Sequence, residues 1–258
     1  MTVVRSILFN AFFFGWLGIC LLFMFFMLPL PRIAMHTAVR WWSISAMWGM
    51  KWIAGISYRV KGLEKIPAGA VIFSAKHQSA WDTLIYHVLF KNLMYVLKIE
   101  LLKIPLWGWY ARKCQAIAVD RSGGAAALKK MVRDSKRLLG LGRHLAIFPE
   151  GTRTAPGQRT PYHPGVAALY RQTGATVVPV AVNSGLFWGR RSFRKEPGVI
   201  TIEFLDPIEP GLDRRTFMAL LESRVEEATD RLVEEASKEF GIPYQKATAA
   251  AEIPPESP

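Results

Sequence analysis

The sequence predicts an α/β fold in which a mostly parallel or mixed sheet is covered by helices, with membrane-associated helices at the N-terminus. Three observations predict it. From residue 58 onward, apolar runs of strand length alternate with stretches of helical periodicity, the order that builds helix-covered parallel or mixed sheets. Residues 7–30 are almost wholly apolar. Three polar motifs each follow an apolar run directly, which gathers them at the edge where open α/β sheets place ligands.

The N-terminal run, ILFNAFFFGWLGICLLFMFFMLPL, is long enough at about 1.5 Å rise per residue to cross a hydrocarbon core of about 30 Å. It is too long for a secretory leader, and no small-residue cleavage site follows it. Arg32, Arg40, Lys51, Arg59 and Lys61 follow the run whereas Arg5 alone precedes it, so a single span leaves the remaining chain in the cytoplasm. A second helix is expected over 36–57, where Trp41, Trp42, Trp48 and Trp52 mix with Arg40 and Lys51. Tryptophans favour the headgroup level, so this helix lies in the interface. An amphipathic helix packed on the domain is the alternative.

Beyond it, strands are expected at 70–75, 93–98, 115–119, 144–148, 176–182 and 198–205, several of them rich in Val, Ile and Phe. Helices are expected at 79–90, 124–139 and 165–173 between them. The second of these has Leu128, Met131, Val132, Leu138 and Leu139 at helical spacing, with Gly140 after its end. A final helix over 214–240 takes Asp213 as cap, carries a stripe of Phe217, Leu221, Val225, Ala228, Leu232 and Ala236, and stops at Gly241 and Pro243. Residues 243–258, with four prolines and four alanines, read as a disordered tail. The chain thus divides into a membrane-associated segment (1–57), an α/β domain (58–242) and the tail (243–258).

Formal net charge is +13 over 258 residues. Asp213–Pro258 holds six basic and ten acidic residues, so residues 1–212 carry a surplus of seventeen positive charges. No nucleic-acid motif accompanies that field. Anionic lipid is the better partner, because basic residues near a bilayer gain about 1 kcal/mol each from acidic headgroups. Cys20 and Cys114 show neither a pairing pattern nor metal-type spacing.

The first motif is Lys76-His77-Gln78-Ser79-Ala80-Trp81-Asp82, after Val71-Ile72-Phe73. Positions five apart on a regular helix point about 140° away from each other. His77 and Asp82 therefore meet only if His77 sits in a strand-to-helix turn and Asp82 in the first turns of the helix. There Asp82 holds one imidazole nitrogen protonated and leaves the other to take a proton from a substrate hydroxyl. Histidine suits that work because its ordinary titration lies near neutral pH. The plainer alternative is a half-exposed histidine beside an acidic residue that favours a helix N-terminus.

The second motif, Phe148-Pro149-Glu150-Gly151-Thr152-Arg153-Thr154, follows Leu145-Ala146-Ile147. Arg153 offers a bidentate fork for phosphate, Gly151 lets backbone approach a ligand, and Thr152 adds a hydroxyl donor. Glu150 is awkward beside phosphate and suits a hydrogen bond from a sugar or glycerol hydroxyl, or the orienting of Arg153. A polar turn with a surface ion pair is the plainer alternative. The third motif, Val119-Asp120-Arg121-Ser122, precedes Gly123 and Gly124 and a helix N-terminus that attracts anions. Asp120 and Arg121 pairing with each other and capping that helix is the alternative.

With these residues assembled, the chain resembles the 1-acylglycerol-3-phosphate acyltransferase family, within the wider glycerolipid acyltransferases, over roughly residues 58–206. The family's His-x4-Asp block matches His77 and Asp82, and its second block matches Asp120 and Arg121. Phe148 to Arg153 matches the third block in full, and Val178-Pro179-Val180 matches the fourth, a strand with an internal proline. Two departures stand out: Lys76 where an asparagine commonly precedes the histidine, and Ala118 where a bulky apolar residue is common.

The resemblance implies acyl transfer from a thioester, acyl-CoA or acyl carrier protein, to the free hydroxyl of a lysophospholipid, with no cofactor, no metal and no covalent acyl-enzyme. His77 is the implied base and Asp82 its orienting partner. Arg121 and Arg153 hold the acceptor phosphate, and Glu150 lies near the glycerol. Consistent with this, no Gly-x-Ser-x-Gly nucleophile elbow is present. Another acceptor, such as a lyso-ornithine lipid or a different lysophospholipid, stays open. A non-catalytic module binding anionic lipid explains the charge and the anchor, but gives no reason for His77 and Asp82.

Overall fold

The computed structural model describes residues 2–246. Most of the expected tail lies outside them, while 243–246 carry no helix or strand and Tyr244 packs on the core. Helices α1 (Thr2–Phe25) and α2 (Arg32–Gly49) form an N-terminal hairpin. Strands β1 (Ile56–Lys61), β2 (Ile72–Ala75), β3 (Leu93–Lys98), β4 (Ile117–Val119), β5 (His144–Ile147), β6 (Val177–Val182) and β7 (Gly198–Phe204) form one sheet. Its order is β1-β7-β6-β2-β5-β3-β4, and only the β6–β7 pair is antiparallel. Six further helices join them: α3 (Trp81–Leu89), α4 (Trp107–Lys113), α5 (Gly124–Leu139), α6 (Gly165–Thr173), α7 (Ser184–Phe187) and α8 (Arg214–Phe240).

Successive strand residues point to opposite faces, which gives the sheet two cores. On one face Phe73, Val178 and Ile200 pack with Trp81 and Ile85 of α3 and with Phe9, Phe13 and Met47 of the hairpin. On the other, Ile72, Leu145 and Val177 pack with Met131 of α5, Tyr170 of α6, and Phe217 and Leu221 of α8. The six expected strands and the four helices from residue 79 onward appear within about two residues of their expected ends.

Several elements depart from expectation. The helix expected over 36–57 runs from Arg32 to Gly49, continues as a wider turn through Ala54, and stops at Gly55, whose φ of 74° suits a residue without Cβ. Ile56, Tyr58 and Val60 then alternate with Ser57, Arg59 and Lys61, and this segment pairs with β7 along its whole length. The boundary at 57/58 therefore falls inside a strand. Helix α4 follows Pro105 in a segment too short for periodicity to disclose.

The hairpin is built into the domain. Phe9 and Phe13 meet the Trp188 ring edge-on at 5.3 and 5.1 Å. Arg5 Nε donates to Ile53 O at 2.9 Å, Asn10 Nδ2 to Phe193 O at 2.9 Å, and Tyr110 Oη to Leu21 O at 2.6 Å. The opposite face of α1 leaves Val4, Ile7, Phe14, Ile19, Leu22 and Phe23 exposed. Its 24 residues, with a window of mean hydropathy 2.2, are long and apolar enough to cross a membrane. Trp188→Ala is expected to lower the unfolding free energy by about 3 kcal/mol, as for other buried aromatic truncations. Denaturation in detergent measures the loss, and hydrogen exchange should show the amides of Phe9–Phe13 opening first.

Candidate active site

Strands β2, β3, β4, β5 and β6 run in one direction, so their carboxyl ends lie along a single edge of the sheet. His77 follows β2, Asp120 and Arg121 follow β4, the 148–154 segment follows β5, and Ser184 follows β6. Parallel topology thus gathers motifs far apart in sequence.

His77 sits in the turn after β2, and Asp82 is the second residue of α3. His77 Nδ1 lies 2.9 Å from Asp82 Oδ2. The same oxygen accepts the amides of Gln78 at 2.7 Å and Ser79 at 2.8 Å, and Oδ1 accepts the Ser184 hydroxyl at 2.5 Å. Asp82 is only 1 % exposed. A buried carboxylate facing these four donors is placed as an acceptor at both oxygens, so Nδ1 carries the proton toward it and Nε2 carries the free lone pair. The imidazole stacks on Phe148, with ring centres 4.0 Å apart and planes 18° apart. Ring position and tautomer are both set by the fold.

The 148–154 segment clamps the backbone of His77. Glu150 Oε2 accepts the His77 amide at 2.9 Å, and the Thr154 amide donates to His77 O at 2.7 Å. Glu150 is 1 % exposed, and its other oxygen lies 2.7 Å from Lys76 Nζ. Burial pushes the Glu150 carboxyl above its ordinary pKa, while Lys76 and the His77 amide pull it back. The glycerol contact expected for Glu150 is therefore replaced by a supporting one, because both oxygens face inward onto protein donors.

Gly151 has a φ of 64°, and a Cβ there would lie 2.0 Å from Arg121 Nη2. Arg121 fills that space and donates to Gly151 O at 2.7 Å, so the close approach that glycine permits is used by the third motif. Asp120 accepts the amide and hydroxyl of Ser122, at 2.9 and 2.5 Å, and these bonds hold its carboxyl below the usual range. Asp120 caps its own turn, and Arg121 is left to reach across to the β5 loop. Thr152 and Arg153 are half-buried.

Arg153 lies among cations. Partial burial lowers its pKa, Arg190 and Arg191 lower it further, and Asp82 acts in the opposite sense. Around His163 the cations are Arg121 and Lys98, which together with burial hold that imidazole below its ordinary pKa. Crowded guanidinium and ammonium groups with few carboxylates favour a polyanionic ligand. Lys98, at the carboxyl end of β3, joins this cradle without having been singled out by any motif.

Motif spacing also missed Ser184 and Glu226, whose contacts with Asp82 and Lys76 span 102 and 150 residues. The one available signal was Glu226 itself, a charged residue next to Val225 on the apolar stripe of α8. His144 packs between Phe73 and Phe90, and His87 lines an apolar cavity. Among the described residues, no group of three or more His, Cys, Asp and Glu is placed to hold a metal ion.

Residues 57–183 match the family model described as Acyltransferase. A Pseudomonas aeruginosa protein named 1-acyl-sn-glycerol-3-phosphate acyltransferase is 37 % identical over 207 residues, covering 77 % of this chain and 78 % of that protein. A protein of the same name from Limnanthes douglasii is 31 % identical and covers 61 % of this chain and 56 % of its own length. The lyso-ornithine lipid O-acyltransferase of Pseudomonas aeruginosa is 28 % identical, covering 66 % of this chain and 72 % of that protein. In fold, the chain is similar to the crystal structure of the 1-acyl-sn-glycerophosphate (LPA) acyltransferase PlsC from Thermotoga maritima, with a TM-score of 0.74 over 90 % of this chain and 98 % of that one, at 21 % identity. With the matched segment running from β1 to the end of β6 and through all three polar motifs, the chain belongs to the 1-acylglycerol-3-phosphate acyltransferase family.

Proposed function

We propose that this enzyme transfers a fatty acyl group from an acyl thioester to the free hydroxyl of 1-acylglycerol 3-phosphate, giving phosphatidic acid. The carrying observation is the His77–Asp82 pair, fixed at 2.9 Å with Nε2 left free. Nε2 removes the hydroxyl proton as the oxygen attacks the thioester carbonyl. The tetrahedral intermediate collapses with cleavage of the C–S bond, and the imidazolium returns the proton to the departing thiolate. Asp82 stabilises the imidazolium between these steps. The acyl group passes directly to the acceptor, and the thioester is a substrate, so no cofactor is required.

Arg153, Arg121 and Lys98 are assigned to the acceptor phosphate, with Thr152 and the Gly151 backbone beside them. For the acyl chain we assign the apolar cavity of about 110 Å³ lined by Leu21, Trp42, Tyr95, Leu97, Trp107 and Tyr110. Stacked rings lead toward it from the base: His77 on Phe148 at 4.0 Å, and Phe148 on Tyr95 at 6.3 Å. Each methylene moved from water into such a site contributes about 0.8 kcal/mol.

The enzyme is membrane-associated, and the ties from Arg5, Asn10 and Tyr110 keep its catalytic body against the helix that meets the lipid. We place that body, from β1 through α8, on the cytoplasmic face, following the basic residues that succeed α1. Lipid substrates then reach the cradle from the surface on which the enzyme sits.

Two substitutions test this reading. His77→Ala should lower kcat with lysophosphatidic acid by about 10²–10⁴-fold while the protein still partitions to membranes. Full turnover by that variant, in a preparation free of other acyltransferases, would exclude the base. Arg153→Ala should raise KM for the phosphate acceptor by about ten-fold or more, with a smaller effect on a lyso-ornithine lipid that lacks phosphate. An unchanged KM would move the phosphate elsewhere.

A further inference from the structure

We propose that Lys76 and Glu226 are positioning residues for the His77 base and act on it through Glu150. This rests on the acyl-transfer reading above. Lys76 Nζ lies 2.7 Å from Glu150 Oε1 and donates to the two oxygens of Glu226 at 2.8 and 2.9 Å. The three side chains are 1 %, 0 % and 3 % exposed. Tyr162 Oη donates to Glu226 Oε1 at 2.9 Å, and Arg159 Nε stands 4.0 Å from Oε2 at the rim of the cluster.

Three charges out of water are costly unless each is paired, and removing one partner leaves the others uncompensated. The order of dependence follows from the contacts. Glu226 of α8 fixes the ammonium, and the ammonium beside Glu150 opposes the burial that raises its pKa. Glu150 accepts the His77 amide, and the Thr154 amide on the same loop donates to the His77 carbonyl. Both peptide groups that flank the base are thereby held by one loop, which is itself pinned from α8. Glu226 lies beyond the segment matched by the family model, residues 57–183. Lys76 replaces the asparagine that commonly precedes the histidine, and an asparagine here would leave Glu226 buried without its cation.

The decisive experiment compares Lys76→Asn, Glu226→Gln and the double variant by steady-state kinetics in the full-length enzyme. A displaced base costs kcat, so Lys76→Asn should lose about 100-fold in kcat with KM for lysophosphatidic acid within about three-fold. Glu226→Gln loosens the ammonium but leaves the Lys76–Glu150 pair in place, so it should lose kcat by a smaller factor, about five-fold, with KM unchanged. The double variant removes one of the two carboxylate charges that Lys76→Asn orphans, and the repulsion between them, and should recover about ten-fold over Lys76→Asn. Lys76→Asn with near-wild-type kcat, a KM rise that matches its kcat loss, or a double variant no better than Lys76→Asn would each overturn the proposal. If Lys76→Asn fails to fold, the double variant decides: kcat within about ten-fold of wild type supports the proposal, and a folded double variant about 100-fold down overturns it. Absence of turnover in wild type would count against the acyl-transfer reading alone. The network is then read by hydrogen exchange at the His77 amide, which should quicken in Lys76→Asn and slow again in the double variant; exchange unchanged across the set would overturn it.

Discussion

The Asp82 carboxylate is the acceptor around which the site-bearing edge is assembled, with Nδ1 of His77 and the amides of Gln78 and Ser79 on one oxygen and the Ser184 hydroxyl on the other. Those four bonds join the end of β2, the start of α3 and the end of β6. A hydrogen bond to a buried charge is worth more than one between neutral groups, and an unmatched buried carboxylate is costly. The same contacts therefore shape the turn and fix the imidazole tautomer. Folding and the proposed chemistry depend here on one set of atoms.

Charge falls into two groups around the site. One is the buried Lys76, Glu150 and Glu226 cluster, with the ammonium between the two carboxylates. The other is cationic, with Arg121 and Lys98 near His163 and with Arg190 and Arg191 near Arg153. The two carboxylates are turned inward, whereas Arg121 and Lys98 are exposed and Arg153 is half-buried. A phosphate-bearing lipid matches such a surface, and the exposed apolar face of α1 brings the enzyme to where that lipid resides.

Much of this was legible in the sequence, since strand-length apolar runs and helical periodicity depend on local pattern. His77, Asp82 and Arg153 were legible because each stands within a few residues of a strand end. Glu150 reads from the sequence as a ligand contact because it stands close to an arginine suited to phosphate, and only the inward path of Lys76 discloses the protein contacts it makes. Lys76 looked like a mere departure from the family pattern. Its partner Glu226 is 150 residues away, and no local rule connects them. β1 was hidden by a helix that stops two residues earlier at Ala54, so the pattern change fell inside a tryptophan-rich segment.

The most direct measurement is the kcat of Asp82→Asn with lysophosphatidic acid and an acyl thioester. The amide preserves volume but brings an NH2 donor into a site with four donors already aimed at it, so the imidazole tautomer and the turn are both disfavoured. The expected result is a loss of about 10³–10⁴-fold in kcat with KM changed by about three-fold or less. A variant that is folded, membrane-bound and within about three-fold of wild-type kcat would contradict the assignment of Asp82 as the group that makes His77 a base.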